Sequence, residues 1–108
     1  MSLGVRLKQL RIKKNRSLQE VADAVQASKA HIWEIERGGS KNPSMELLDK
    51  LADYFQVSVA YLVGEEPDEE KAGLVALYRD LTKLDEGDRE TIRLVMQGLK
   101  EKRRKEQG

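Results

Sequence analysis

The chain has no cysteine, a single histidine and no glycine-rich phosphate loop. Without cysteine there is no disulfide staple and no thiolate metal site, a composition that suits a reducing cytoplasm. His31 has no second histidine to join it, so no metal is expected, and nothing else calls for a cofactor. No apolar run approaches the ~20 residues of a membrane span, and charge arrives too early for a signal peptide's apolar region, so no membrane partner is expected. Enzyme chemistry has little to work with, since a nucleophile with its base, a metal cluster and a phosphate loop are all missing. Asp49 and Asp53 share a helical face, where solvated charge is the simpler reading. No small-molecule ligand is evident, and Ser2 is given no functional weight.

What is present is charge, sorted along the chain. The 108 residues, 39% of them hydrophobic, suffice for one ordinary domain, or a small domain with an appendage. The net charge of +1 hides an asymmetry. Residues 1–41 hold nine Lys/Arg against four Asp/Glu, residues 65–90 four against ten, and residues 91–108 six against two. A basic front suits a phosphate-bearing partner. The basic end, KEKRRKEQ, reads most simply as a solvated helix terminus.

Periodicity predicts helices almost throughout, and so an all-α fold. Leu3, Leu7 and Leu10 lie on one stripe of a helix running to about Asn15, with Arg6, Lys8, Lys13 and Lys14 projecting. Ser17 followed by Glu20 is a capping-box pattern opening a second helix, whose inward positions are Leu18, Val21, Ala22 and Val25. After a break at Gln26 and Ala27, Ser28 caps a third helix that runs to about Arg37 and closes on Gly38 and Gly39. Ile32 and Ile35 face inward on it, while Lys29, Ala30, Trp33 and Glu34 face out. Beyond the loop ending at Pro43, Ser44 caps a fourth helix with Leu48, Leu51, Ala52 and Phe55 inward. Ser58 caps a short fifth helix ending at Gly64, with Val59 and Leu62 sealing the core.

Two helices joined by so tight a turn at residues 17–38 form a helix-turn-helix. Together with LKQLRIKK before it and ERGGSKNPSMELLDKLADYFQVSVAYLVG after it, this stretch resembles the phage-repressor-like (Xre-type) family, which includes the lambda repressor and Cro proteins. The likeness covers about residues 4–64 and implies a five-helix lambda-repressor-like domain that binds double-stranded DNA with its third helix in the major groove. One departure stands out. The family usually places Gly at the turn where this chain has Gln26, and a non-Gly residue in that left-handed conformation costs about 1 kcal/mol.

The resemblance aims Lys29 and Ala30 at base edges, with Glu34 one turn further on the same face. Lys29 suits guanine O6/N7, Ala30 a thymine methyl and Glu34 cytosine N4. In the competing reading Lys29 touches only phosphate and Glu34 pairs within the protein. Gln19 matches a family residue that hydrogen-bonds phosphate. Lys41, Asn42 and Arg37 are further candidates for the backbone, as are Ser28 at the helix start and Trp33 on its exposed face. Glu36 resembles a family Glu that pairs with an Arg in the first helix, here Arg11, as a structural ion pair.

Residues 1–64 are therefore read as the DNA-binding domain, 65–70 as an acidic linker, 71–104 as a C-terminal helical hairpin and 105–108 as a basic tail. Leu74, Leu77, Tyr78 and Leu81 mark the first helix of the hairpin; Asp85 caps the second, striped by Ile92, Val95, Met96 and Leu99. Such narrow stripes need a partner surface. A homodimer is favoured, since two recognition helices ~34 Å apart reach successive major grooves. A monomer with the hairpin folded over its own domain is the other arrangement. The reading is a sequence-specific, dimeric transcriptional regulator in the cytoplasm, more a repressor than an activator. The alternative is an antitoxin-type protein-interaction module whose hairpin caps a partner protein while the front represses its own operon.

Overall fold

The computed structural model describes residues 2–40 and 42–107, which form seven helices and no strand among them. The first compact unit ends at Leu77 and the second begins at Tyr78. Among the described residues no helix is long and apolar enough to cross a membrane.

In the first unit, α1 (Leu3–Lys13), α2 (Leu18–Ala24), α3 (Lys29–Glu36), α4 (Met45–Phe55) and α5 (Val59–Leu62) follow one another, eight residues separating α3 from α4 and three or four the other pairs. Each opens on a serine, Ser2, Ser17, Ser28, Ser44 and Ser58, whose hydroxyl accepts from the backbone N–H three residues on. Each also closes on a residue of positive φ, namely Asn15, Gln26, Gly38, Gln56 and Gly64. At all five ends the next N–H reaches back five residues, as in Gly39 N–H to the Glu34 carbonyl at 2.8 Å and Ala27 N–H to that of Ala22 at 2.9 Å. These paired bonds are Schellman closures, which satisfy carbonyls that a helix end leaves open. Ser2, given no functional weight from sequence, has this structural role.

The interior is one cluster built on Leu7, Leu10, Val21, Ala22, Val25, Ile32, Ile35, Leu51, Phe55 and Leu62, with Leu3, Leu18, Leu48 and Val59 half-buried against it. α1 lies close to α3 because Gly4 has no side chain; a Cβ there would press on the Ile35 and Glu36 carbonyl oxygens. One expectation for α1 is corrected. Arg6 does not project: it is buried, with its guanidinium 3.9 Å from the Tyr61 ring centre. The α1 stripe is wide enough to include it, and the face of the tyrosine offers the cation a partner in place of water.

The first unit also extends beyond residue 64, where the sequence placed its boundary. α6 (Glu69–Thr82) begins inside the expected linker, opened by Asp68, whose carboxylate accepts from the Glu70 and Lys71 N–H groups. Lys13 at the end of α1 donates to both carboxylate oxygens of Glu69, at 2.7 and 2.9 Å. Ala72 joins the core cluster and Ala76 is also fully buried. Small side chains therefore pack here, and Leu74, Val75 and Leu77 stay exposed.

In the second unit α6 ends and, after a short turn capped by Asp85, α7 (Glu86–Gln107) runs for 22 residues. It has no buried residue. The helix continues through Gln107, so residues 105–107 are its last turn and not a separate tail.

Candidate nucleic-acid interface

The start of α2 is held by the reciprocal bonds the capping-box spacing predicts. Ser17 Oγ accepts from the Glu20 N–H, and the Glu20 carboxylate accepts from the Ser17 N–H, both at 3.0 Å. The bond from the Ser17 backbone, followed by those from its side chain and from Arg16, holds the Glu20 carboxyl below its ordinary value. Between α2 and α3, Gln26 adopts φ +59°, the left-handed conformation its position demands. Its side-chain oxygen accepts from Lys50 Nζ at 2.8 Å, which ties the turn to α4. That bond spans 24 residues of sequence and has no local signature.

α3 is set against the core by Ile32 and Ile35, both essentially inaccessible. Lys29 and Ala30 are fully on the outer side, and Trp33 is 47% exposed. The Arg37 guanidinium stands 4.6 Å from the Trp33 ring centre, so these two phosphate candidates form one stacked unit. Glu34 is half-buried, its carboxylate 3.9 Å from Arg37 Nη1. At that distance the pair is a loose one, and the carboxylate keeps free acceptor capacity.

Behind this face, Arg11 grips Glu36 with two parallel bonds, Nε to Oε2 at 2.6 Å and Nη2 to Oε1 at 3.0 Å. A third N–H, on Nη1, donates to the Arg16 carbonyl at 3.0 Å. Hydrogen bonding to Glu36 raises the Arg11 pKa further above its already high value, partial burial opposing it. Both side chains are largely withdrawn from water, at 15% and 7% exposure, so the pair joins α1, the α1–α2 turn and α3 rigidly.

Arg11, Glu36, Trp33 and Arg37 line one shallow cleft together with Leu18 and Lys8. Lys8 is not among the residues the sequence assigns to the site, although it lies three positions before Arg11 on α1 and so on a neighbouring line of the same helix. Gln19 is exposed on α2, with its amide nitrogen donating to Asp23 Oδ1 at 2.7 Å; a phosphate would have to compete for that donor. Ser28 uses its oxygen to cap α3, accepting from His31 N–H at 3.1 Å, and keeps its own hydroxyl proton to donate. Asn42 is exposed, and Lys41 lies outside the described residues. His31 is half-buried, and no group of three or more potential metal ligands occurs among the described residues.

The residues assigned to self-association divide by unit. Leu74 and Leu77 are exposed in the first. In the second, Tyr78, Leu81, Ile92 and Met96 line an apolar groove rimmed by Arg89 and Arg93, with Val95 and Leu99 exposed further along α7.

A helix-turn-helix family model matches residues 7–62. The HTH-type transcriptional regulator SinR of Bacillus licheniformis is 37% identical over 71 residues, which cover 66% of this chain and 64% of that protein, so the match spans less than two thirds of that relative's length. The cryptic phage CTXphi transcriptional repressor RstR of Vibrio cholerae is 27% identical over 94 residues, 87% of this chain and 84% of that one. A crystal structure of SinR, the master regulator for biofilm formation, in complex with DNA superposes with a TM-score of 0.53 at 38% identity, over 56% of this chain and 95% of that one.

Proposed function

The chain belongs to the helix-turn-helix family of Xre-type regulators, and from that premise we propose that it is a sequence-specific, double-stranded-DNA-binding transcriptional repressor that acts as a homodimer. The observation that carries the reading is the state of α3. Its inner side is fixed by Ile32, Ile35 and the Arg11–Glu36 pair, while Lys29 and Ala30 at its start are exposed and rigidly presented. A preorganised helix face of this kind loses little freedom on entering a major groove.

Lys29, Ala30 and Glu34 are the residues assigned to base edges. The Trp33–Arg37 stack, Gln19, Ser28, Asn42, Lys41 and Lys8 serve the phosphates, which fix register without reading sequence. The likeness to a regulator solved with DNA and to a phage repressor supports binding that blocks access to a promoter. The exposed apolar residues of α6 and α7 support pairing of two copies. In this reading the protein works in the cytoplasm and catalyses no reaction.

Selection of bound sites from a random duplex pool tests the proposal. Two inverted half-sites with centres about one helical turn apart, or a multiple of it, are expected. Recovery of no enriched sequence from a folded protein sinks it.

A further inference from the structure

The last turns of α7 carry more positive charge than a helix end requires. From residue 100 to 105 the sequence is KEKRRK, and Lys100, Lys102, Arg103, Arg104 and Lys105 are all exposed. Cations in the last turn suit the helix dipole, which accounts for Arg104 and Lys105. Lys100, Lys102 and Arg103 lie beyond its reach. The apolar stripe stops at Leu99, and residues 100–107 are exposed throughout. None of the five cations is engaged in an ion pair or side-chain hydrogen bond among the described residues, whereas Arg93 earlier on the same helix is paired with Glu90 at 2.6 Å.

We propose that this basic end of α7 is a second DNA-binding element, which holds duplex phosphates without reading sequence. The inference rests on the DNA-binding reading above. An acidic stretch of a second copy, residues 65–70, is another polyanion these cations could meet, but it is already partly committed. Glu69 is bound to Lys13, Glu66 lies 3.5 Å from Lys71, and Asp68 caps α6. A duplex offers one charge per about 1.7 Å of its axis, and Lys100, Arg103 and Arg104, spaced i, i+3 and i+4, share one side of α7 that can lie along it.

The test measures affinity for a fixed duplex across a salt series, using the full chain and a variant with Lys100→Gln, Lys102→Gln, Arg103→Gln, Arg104→Gln and Lys105→Gln. Removing one cation–phosphate pairing lowers the slope of log affinity against log salt by about 0.9, so removing two or more lowers it by about 2 or more. The sequence preference stays unchanged. A second variant that keeps charge, Arg103→Lys with Arg104→Lys, retains the original slope. The same slope in the glutamine variant overturns the inference, as does a change confined to self-association in sedimentation, which assigns the cations to the partner copy. If the unsubstituted chain binds no duplex at all, it is the DNA-binding reading that fails.

Discussion

In the proposed reading, Lys29 and Glu34 on one side, and Gln19 on the other, differ in what each can report about a base. Lys29→Ala and Glu34→Ala are expected to change which bases are preferred, each good pairing being worth about 1–3 kcal/mol of discrimination. Gln19→Ala weakens all sites roughly alike. Uniform loss from all three substitutions in a binding-site selection removes the base-reading assignment. Arg11 and Glu36 act on stability instead: Arg11→Ala leaves a carboxylate that is 7% exposed without its partner, and costs about 3 kcal/mol in denaturant unfolding. Glu20 gives a pH dependence. Its folded pKa is depressed, so the unfolded chain binds more protons, and the stabilisation is present above the unfolded value and lost as pH falls through the folded one. The wild-type chain therefore loses more stability between about pH 5 and pH 2 than Glu20→Gln does. Ser17 and Glu20 were legible in the sequence because both partners sit within one turn. The Lys50 bond to Gln26 was not, because its partners meet only once α4 has packed.

At the level of the element, apolar periodicity located the seven helices and, in the first five, most of the side turned to the core, missing Arg6, Leu47 and Tyr61. It misled at α6. Large aliphatics dominate any hydrophobic stripe, so Leu74, Leu77 and Tyr78 stand out in the sequence, yet the positions without exposure are Ala72 and Ala76. A core already filled by Leu7, Ile32, Leu51, Phe55 and Leu62 admits a further helix only where its side chains are small. Ala72→Leu is accordingly expected to destabilise the first unit by about 1–3 kcal/mol through overpacking, read as a lower melting temperature. Gly4 makes the same point for α1 and α3: Gly4→Ala forces a methyl against the Ile35 carbonyl, and the two helices must part. A melting temperature for Gly4→Ala equal to that of the wild type removes the close approach as a determinant of the fold.

For the whole molecule, the exposed stripe on α7 is the feature a solitary chain explains least. Val95, Met96 and Leu99 are each about half exposed, at 58%, 48% and 57%. A dimer at micromolar concentration is expected by light scattering, and Val95→Glu with Leu99→Glu is expected to yield monomers that bind a single half-site weakly and a full operator without avidity. A wild-type monomer under those conditions refutes the pairing. Sequence could name this stripe but not its occupant, since periodicity describes one surface and a partner is defined by two.

The five serine-capped, Schellman-closed helices bear on how such a protein changes over time. Ser28 and Gly38 fix where the recognition helix begins and ends through bonds made within the segment itself, and Ile32, Ile35 and Glu36 fix its inner side. The side chains at positions 29, 30 and 34 take no part in that closure. In the proposed reading, substitutions there redirect the protein to a new operator while the frame that presents them stays intact, so specificity is free to drift at a rate the fold does not restrain.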